Sequence, residues 1–154
     1  MKNNEQLINT WQENGFINYP LFTPEEVEEM KTELMRLLEE RGDPYGSDPL
    51  AFYEHPHKDS ELFSKILKDK RIVSMIETLM GKDLDIPDCK IEATQTWMYF
   101  KPPGELGRDV HHNIFYSHAN YGEVINVSIA LDDADEENGC LYWYPGSHKD
   151  RMVY

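Results

Sequence analysis

The sequence has few cysteines and few basic residues, and both scarcities limit what the protein can be. Cys89 and Cys140 are its only two thiols and lie far apart, so we expect both to be reduced rather than joined in a disulfide. Lys and Arg number 15 against 29 Asp and Glu, which gives a net charge of −14. A nucleic-acid groove and an anionic membrane surface both require a positive field on the protein, so this charge disfavours both.

Long apolar segments are also missing. No run approaches the length of a membrane span, and the first residues lack the apolar core of a signal peptide. We therefore expect a soluble, cytoplasmic protein that binds neither nucleic acid nor membrane. Its 154 residues, of which 40% are hydrophobic and 12% aromatic, suffice for one packed domain.

The first half of the chain has the spacing of amphipathic helices. The clearest helix begins after Thr23, where Pro24 fits the first turn and Glu26 completes a Thr-x-x-Glu capping box, and it should end near Gly42. The other predicted helices cover residues 4–14, 60–67 and 70–80. Gly81 is predicted to end the last of them.

From residue 84 onward, β-branched and aromatic residues increase, and Gly and Pro separate short runs. Predicted strands cover residues 16–20, 90–101, 111–118, 124–131 and 140–144. Predicted loops and turns cover residues 41–56, 132–139 and 145–147. Helices followed by antiparallel strands favour an α+β or helix-decorated, mainly β architecture. We divide the single domain into an N-terminal helical scaffold, residues 1–83, and a β core, residues 84–154.

One predicted strand carries His111, His112 and Asn113. Alternate strand residues share a face, so His111 and Asn113 point the same way and His112 points the opposite way. A His-x-acid pair is a two-point clamp suited to Fe(II), because imidazole nitrogen and carboxylate oxygen both bind that ion. Here an amide replaces the carboxylate, and an amide oxygen is a weaker, neutral ligand. Spacing alone favours two polar residues hydrogen-bonded at a sheet edge over a metal site.

The remaining histidines give weaker signals. His118 has the strand parity of His112 and should face away from the candidate ligands. We interpret His148, which follows Pro-Gly-Ser, as a turn or capping residue, and His55 and His57 as surface residues of an irregular segment. A dense aromatic set forms part of the core or lines a ligand cavity: Trp97, Tyr99, Tyr116, Tyr142, Trp143 and Tyr144.

Several motifs, taken in order, resemble those of the phytanoyl-CoA dioxygenase family. They are Gln95-Thr-Trp-Met-Tyr-Phe-Lys-Pro-Pro-Gly104, the His-x-Asn of residues 111–113, Ile129-Ala-Leu-Asp-Asp133, Glu137-Asn-Gly-Cys-Leu141 and Pro145-Gly-Ser-His-Lys149. Residues 14–18 and 23–26 are also similar to the opening of that family. The resemblance covers most of the chain and is loosest between residues 41 and 84.

The resemblance implies a non-haem Fe(II), 2-oxoglutarate-dependent oxygenase on a double-stranded β-helix, the jelly-roll fold of the cupins. It implies hydroxylation of a small organic substrate, with Fe(II) as cofactor and 2-oxoglutarate as cosubstrate. The residues that it places at the site are His111 and Asn113 for iron, Trp97, Tyr99 and Ser128 for the cosubstrate, and Tyr116 for the substrate.

Two departures from the family pattern bear on this expectation. Asn113 brings no charge to the metal, and the distal His and the cosubstrate-binding Arg of the family match no residue of this sequence. A jelly roll also needs about eight strands, and about four are predicted in the β core, residues 84–154. Unpaired strand edges must be covered. We therefore expect a second polypeptide, an identical copy or a further part of a longer chain to complete the barrel.

Three hypotheses follow. The chain is an oxygenase whose site is completed from elsewhere, a non-catalytic dioxygenase-like module that binds a ligand or stabilises an active partner, or a small β-rich binding domain unrelated to oxygenases. The acidic composition makes a highly anionic substrate such as a CoA thioester less favoured, although a local basic pocket could override the overall charge.

Overall fold

The computed structural model describes residues 4–42, 52–93, 95–101, 109–112 and 123–150. The elements in chain order are α1 (Asn4–Asn14), α2 (Pro24–Arg41), β1 (Phe52–Glu54), α3 (Pro56–Asp59), α4 (Glu61–Leu67), α5 (Lys70–Asp83), β2 (Trp97–Tyr99) and a 3-10 turn (Ser147–Lys149). Within these ranges, no helix has both the length and the apolar character that crossing a bilayer requires.

The capping signals of α2 work as the sequence predicts. The Thr23 hydroxyl accepts a hydrogen bond from the Glu26 backbone N–H at 3.3 Å, and the Thr23 N–H donates to the Glu26 carboxylate at 2.8 Å. At the other end Gly42 adopts a left-handed φ of 72°, and its N–H donates to the Glu39 carbonyl at 3.0 Å. The predicted start and end of this helix are therefore confirmed.

The main core forms on the apolar stripe of α2. Its buried members are Met30, Leu34, Leu37 and Leu38 of α2, Tyr53 of β1 and Phe63 of α4. Burying each of these side chains contributes about 1.5–3 kcal/mol. Four apolar residues from the second half of the chain pack against the same cluster: Met98, Phe100, Ile129 and Leu131. The helices and the later segments thus share one core.

The two strands form one antiparallel pair, in which Tyr53 lies opposite Met98 and Glu54 opposite Trp97. Tyr53 is buried and Met98 packs against the helical core. Because side chains alternate along a strand, Trp97 and Tyr99 project from the other side, where they are 39% and 51% exposed. We call this side of β2 the outer face.

Most of the predicted strands are either absent from the described residues or shorter than predicted. Within the described ranges, residues 16–20, 124–131 and 140–144 contain no strand, and residues 90–101 contain only β2. The predicted loop at residues 41–56 instead contains β1. A strand requires a hydrogen-bonded neighbour, and β1 pairs with only three residues of β2. Apolar alternation alone therefore overestimated the length of the sheet.

Two helix predictions need adjustment. Ser60, buried, caps α4 from the preceding position, and its hydroxyl accepts from the Phe63 N–H at 3.4 Å. Helix α5 continues through Gly81 to Asp83 instead of ending at the glycine. A Cβ at Gly81 would lie 3.1 Å from the Ile86 carbonyl oxygen and 3.2 Å from the Cys89 Cβ. Gly81 thus allows the following segment to pack closely against the helix.

The described residues form helices and a small two-stranded sheet, and all five α-helices lie before residue 84. The double-stranded β-helix, or jelly roll, remains a prediction. The polar turn predicted at residues 132–139 is confirmed at its second half, where the Asp135 carboxylate accepts from the N–H groups of Glu137 and Asn138 at 2.9 Å each.

Candidate functional site

The outer face of β2 carries two of the three residues expected at the cosubstrate. Trp97 and Tyr99 meet edge to face, with ring centroids 6.0 Å apart. Glu54, directly opposite Trp97 in the strand pair, is also exposed. Two aromatic faces beside a carboxylate form a surface that can contact both the apolar and the polar parts of a small ligand.

Ser128, the third residue expected at the cosubstrate, is exposed as well. Its neighbour Ile129 and the next alternate residue, Leu131, pack against the helical core, whereas Ala130 is exposed. Ser128, like Trp97 and Tyr99, is therefore exposed beside residues that pack against the helical core. All three residues therefore lie on sides of the chain that the helical core leaves uncovered.

Lys101 is a residue near the outer face that the sequence interpretation did not single out. It follows β2 with the same strand parity as Trp97 and Tyr99, and its ammonium group donates to the Gly139 carbonyl at 2.9 Å. A Cβ on Gly139, whose φ is 87°, would lie 2.9 Å from the Lys101 Nζ. Lys101 therefore ties the end of β2 to the turn that ends at Gly139, and glycine leaves the space for this contact.

His111, the first of the two expected iron ligands, is exposed and lies outside any strand. Its Nδ1 lies 2.7 Å from the Asp109 carbonyl oxygen. A carbonyl can only accept, so this contact places the proton on Nδ1 and the ring lone pair on Nε2. Metal-binding histidines commonly have this arrangement, in which one ring nitrogen donates to a carbonyl and the other binds the ion. The local geometry of His111 thus suits a ligand.

Asn113 and Tyr116 lie outside the described residues, as does His118. In the part of the chain that the structure describes, no group of three or more His, Cys, Asp or Glu side chains is placed to hold a metal ion. His111 therefore fits an iron ligand by its tautomer, but the described side chains do not provide a complete Fe(II) site.

His55 and His57 lie closer to β2 than the interpretation as surface residues implies. Thr96 accepts from the His55 backbone N–H at 2.8 Å, and its hydroxyl contacts the Nδ1 of His57. Burial lowers the pKa of His57, and the neighbouring His55, Lys58 and Lys68 lower it further. This lowered pKa favours the neutral form of the His57 ring, and the contacts of His55 and His57 with Thr96 hold α3 against the residues that enter β2.

His148 caps a helix, which confirms its interpretation as a turn or capping residue. Its Nε2 donates to the Gln12 carbonyl at the end of α1, at 3.2 Å. Spacing from Pro-Gly-Ser indicated a turn but gave no sign of the partner, which lies 136 residues earlier in the chain.

Comparison with known proteins places these residues in a family. The sequence profile of the phytanoyl-CoA dioxygenase (PhyH) family matches residues 11–153. The chain belongs to the phytanoyl-CoA dioxygenase family. Membership of the family confirms the resemblance that the ordered motifs indicated, and it argues against an unrelated β-rich binding domain.

Relatives within this match are named as dioxygenases. Ectoine dioxygenase of Streptomyces coelicolor is 32% identical over 142 residues, which cover 84% of this chain and 45% of the relative. A probable alpha-ketoglutarate-dependent hypophosphite dioxygenase of Stutzerimonas stutzeri is 28% identical over 100 residues, 64% of this chain and 32% of the relative. Phytanoyl-CoA dioxygenase domain-containing protein 1 of Danio rerio is 43% identical over 61 residues, 38% of this chain and 21% of the relative.

The chain spans about half the length of the ectoine dioxygenases that it matches, 45% in the Streptomyces coelicolor protein and 50% in that of Stutzerimonas stutzeri. No solved structure gives a significant match to the chain. The comparisons thus support a dioxygenase family and leave substrate and assembly to proposal.

Proposed function

We propose that the chain is part of an Fe(II)- and 2-oxoglutarate-dependent dioxygenase that hydroxylates a small organic molecule. The observation that carries this proposal is the family match over residues 11–153, with relatives named as dioxygenases over most of the chain. When bound, iron and 2-oxoglutarate would supply the oxidising chemistry. The residues of this chain would bind and orient the reactants.

In this proposal His111 and Asn113 contribute to the iron site, and Tyr116 lies on the substrate side. The tautomer of His111, fixed by the Asp109 carbonyl at 2.7 Å, supports its role. Trp97, Tyr99 and Ser128 would contact 2-oxoglutarate. Their exposure on sides that the helical core leaves uncovered supports this assignment, because a ligand can reach them without displacing the core.

The site needs further ligands beyond those the described residues provide. We propose that they come from a second polypeptide, an identical copy or a further part of a longer chain, and that the same addition covers the outer face. Exposed aromatic and apolar residues support this: Trp97, Tyr99, Val110, Val127, Leu141, Tyr142, Trp143 and Tyr144 are between 39% and 74% exposed. Contiguous patches of large exposed apolar side chains mark surfaces that another chain or a ligand covers, and Leu141 to Tyr144 are consecutive in the chain.

A small substrate is favoured over a CoA thioester. The net charge of −14 opposes the approach of a highly anionic molecule. The relatives from Streptomyces coelicolor and Stutzerimonas stutzeri that match 84% and 94% of the chain are named for ectoine, which is small. We therefore propose a small organic substrate that carries little negative charge.

A second candidate function is favoured by one residue. Asn113 stands where the family has its aspartate, and an amide offsets none of the charge of Fe(II). A chain with such a site would act as a non-catalytic, dioxygenase-like subunit that binds a ligand or stabilises an active partner.

Anaerobic titration with Fe(II), with and without 2-oxoglutarate, separates the two functions. The proteins titrated are the unmodified protein, Asn113→Asp, His111→Ala and, as a matched control, His112→Ala. Tight binding by the unmodified protein that is lost only in His111→Ala supports the dioxygenase. Binding that first emerges in Asn113→Asp supports the non-catalytic subunit. The iron-site assignment is wrong if neither the unmodified protein nor Asn113→Asp binds Fe(II) when each is tested in its natural assembly.

The assembly itself is tested by the molar mass of the purified protein in solution and by identifying any polypeptide that co-purifies with it. A stable monomer that binds Fe(II) tightly and converts 2-oxoglutarate would contradict the need for completion from elsewhere.

A further inference from the structure

The C-terminal end of α1 is capped by residues from the far end of the described chain. Three donors reach three consecutive carbonyls: His148 Nε2 to Gln12 at 3.2 Å, Lys149 Nζ to Glu13 at 3.1 Å, and the Gly146 N–H to Asn14 at 2.9 Å. The preceding carbonyl, that of Trp11, accepts from the Gly15 N–H at 2.7 Å. All four carbonyls that a helix leaves unsatisfied at this end therefore have donors.

The electrostatics of this cap are complementary. Helix α1 has no basic residue in its last turn, and Glu13 places a negative charge there. The C-terminal end of a helix carries a partial negative charge, which a cation stabilises. Lys149 supplies that cation from outside the helix.

Close packing accompanies the hydrogen bonds. Gly15 has a φ of 80°, and a Cβ at this position would lie 2.3 Å from the Nδ1 of His148. The imidazole ring therefore rests directly on the glycine. Beside it, the rings of Phe16 and Trp143 stack with centroids 5.5 Å apart and an interplanar angle of 18°.

Helix α1 depends on such support. It has 11 residues, and Leu7 is its only buried one. Helices shorter than about 12–15 residues are marginal in water on their own. Outside these contacts, α1 also packs against α5, where the Trp11 indole donates to the Asp83 carboxylate.

We propose that residues 4–16 and 143–149 form a clasp, a cooperative unit that opens and closes without unfolding the α2 core. The C-terminal end of α1 has no cation of its own and needs hydrogen-bond donors for its last carbonyls, and residues 143–149 provide both. Residues 143–149 in turn have no regular structure beyond a 3-10 turn, so their contacts with α1 hold them in place. None of the residues in the described α2 core cluster belongs to the clasp. Opening of the clasp therefore releases α1 together with residues 143–149.

Hydrogen–deuterium exchange on the whole chain tests the clasp, with His148→Ala as the first variant. The amides of residues 8–14 and those of Gly146, Lys149 and Asp150 should exchange about tenfold faster than in the unmodified protein, because one set of contacts protects both. The amides of α2 should keep their protection. Faster exchange on one side of the clasp alone, or equal acceleration in α2, would overturn the proposal.

Two further variants keep the test decisive. Lys149→Met removes one exposed donor and carries the test if His148→Ala does not fold; it should accelerate both sides of the clasp by a smaller factor. His112→Ala is the matched histidine control outside the clasp and should leave the exchange of residues 8–14 unchanged. If Lys149→Met also leaves both sides unchanged, the contacts do not hold α1 and the clasp is refuted.

Discussion

Gly15 and Gly42 share a left-handed backbone, with φ of 80° and 72°, but differ in their surroundings. A Cβ at Gly15 meets the His148 ring, whereas a Cβ at Gly42 meets nothing within 4 Å. Gly42→Ala should lower the free energy of unfolding by roughly 1–2 kcal/mol, the cost of a left-handed alanine. Gly15→Ala should lose a further ~1–3 kcal/mol through steric overlap with the ring. Urea unfolding of both variants measures the difference.

The combination Gly15→Ala with His148→Ala serves as the control. Removing the ring should recover part of the extra loss, because the overlap disappears while the left-handed strain stays. Equal losses for the two single glycine variants would show that the His148 ring does not rest on Gly15.

Glu33 links α2 to the cap of α4 through its charge. Hydrogen bonds from Arg36, which has the larger effect, and from Ser60 lower the pKa of Glu33 from 4.5 to about 2. Because the folded pKa lies below the unfolded one, the stabilisation is complete above about pH 4.5 and is lost as the pH falls towards 2. Glu33→Gln should therefore lower the free energy of unfolding by about 1 kcal/mol at pH 7 and by progressively less in that window.

The control for this prediction is Glu61→Gln. Glu61 and its partner Lys65 form an exposed pair, with side chains 85% and 71% accessible. Such pairs contribute little, so this variant should lose less stability at pH 7 than Glu33→Gln does. Urea unfolding at several pH values checks both variants, and a Glu33→Gln effect that does not change below pH 4.5 would contradict the assigned pKa.

At the scale of elements, α2 organises the molecule because one stripe of it is buried and the rest is solvated. Met30 is 2% exposed and Met35, on the same helix, is 41% exposed. Met30→Ala should lower the free energy of unfolding by about 2–5 kcal/mol, since it leaves a cavity among the core side chains. Thermal or urea unfolding measures this loss.

Met35→Ala matches that change in chemistry and in helix, and it should stay within about 0.5 kcal/mol of the unmodified protein. Similar losses in the two variants would mean that a partner covers Met35 in solution.

The predicted strand at residues 124–131 does not form, whereas the predicted bounds of α2 are confirmed. Residues 124–131 alternate in sequence as a strand does, yet they form none, although Ile129 and Leu131 still reach the core. Alternation in sequence makes a strand possible, and only a hydrogen-bonded neighbour turns that pattern into a strand. Ile129 and Leu131 follow the alternation, but Val127, with the same parity, is 48% exposed, and no strand forms.

For the whole molecule, the dominant electrostatic property is the net charge of −14. Like charges repel across a folded surface, and salt screens them, shortening the Debye length from about 30 Å at 0.01 M to about 8 Å at 0.15 M. The urea midpoint should therefore rise as NaCl is raised over this range. A falling midpoint would mean that ion pairs such as those of Arg36 and Arg71 stabilise the fold more than the repulsion destabilises it.

The sequence indicated some features of the candidate site and missed others. Residue type and motif order indicated the family, and the family match supports that inference. The sequence also singled out Trp97, Tyr99 and Ser128, and all three are exposed. Lys101 was missed, because its partner, the Gly139 carbonyl, lies 38 residues away and leaves no mark in the local sequence.

By itself the sequence determined the bounds of α2, the turn after Asp135 and the family, because capping boxes, side-chain turns and ordered motifs are read from neighbouring residues. Tertiary structure alone decided how far the strands run, which side of β2 faces outward and that His148 and Lys149 cap α1. These features depend on contacts between residues far apart in the chain. Such contacts are settled by which surfaces pack together, and local spacing does not encode that choice.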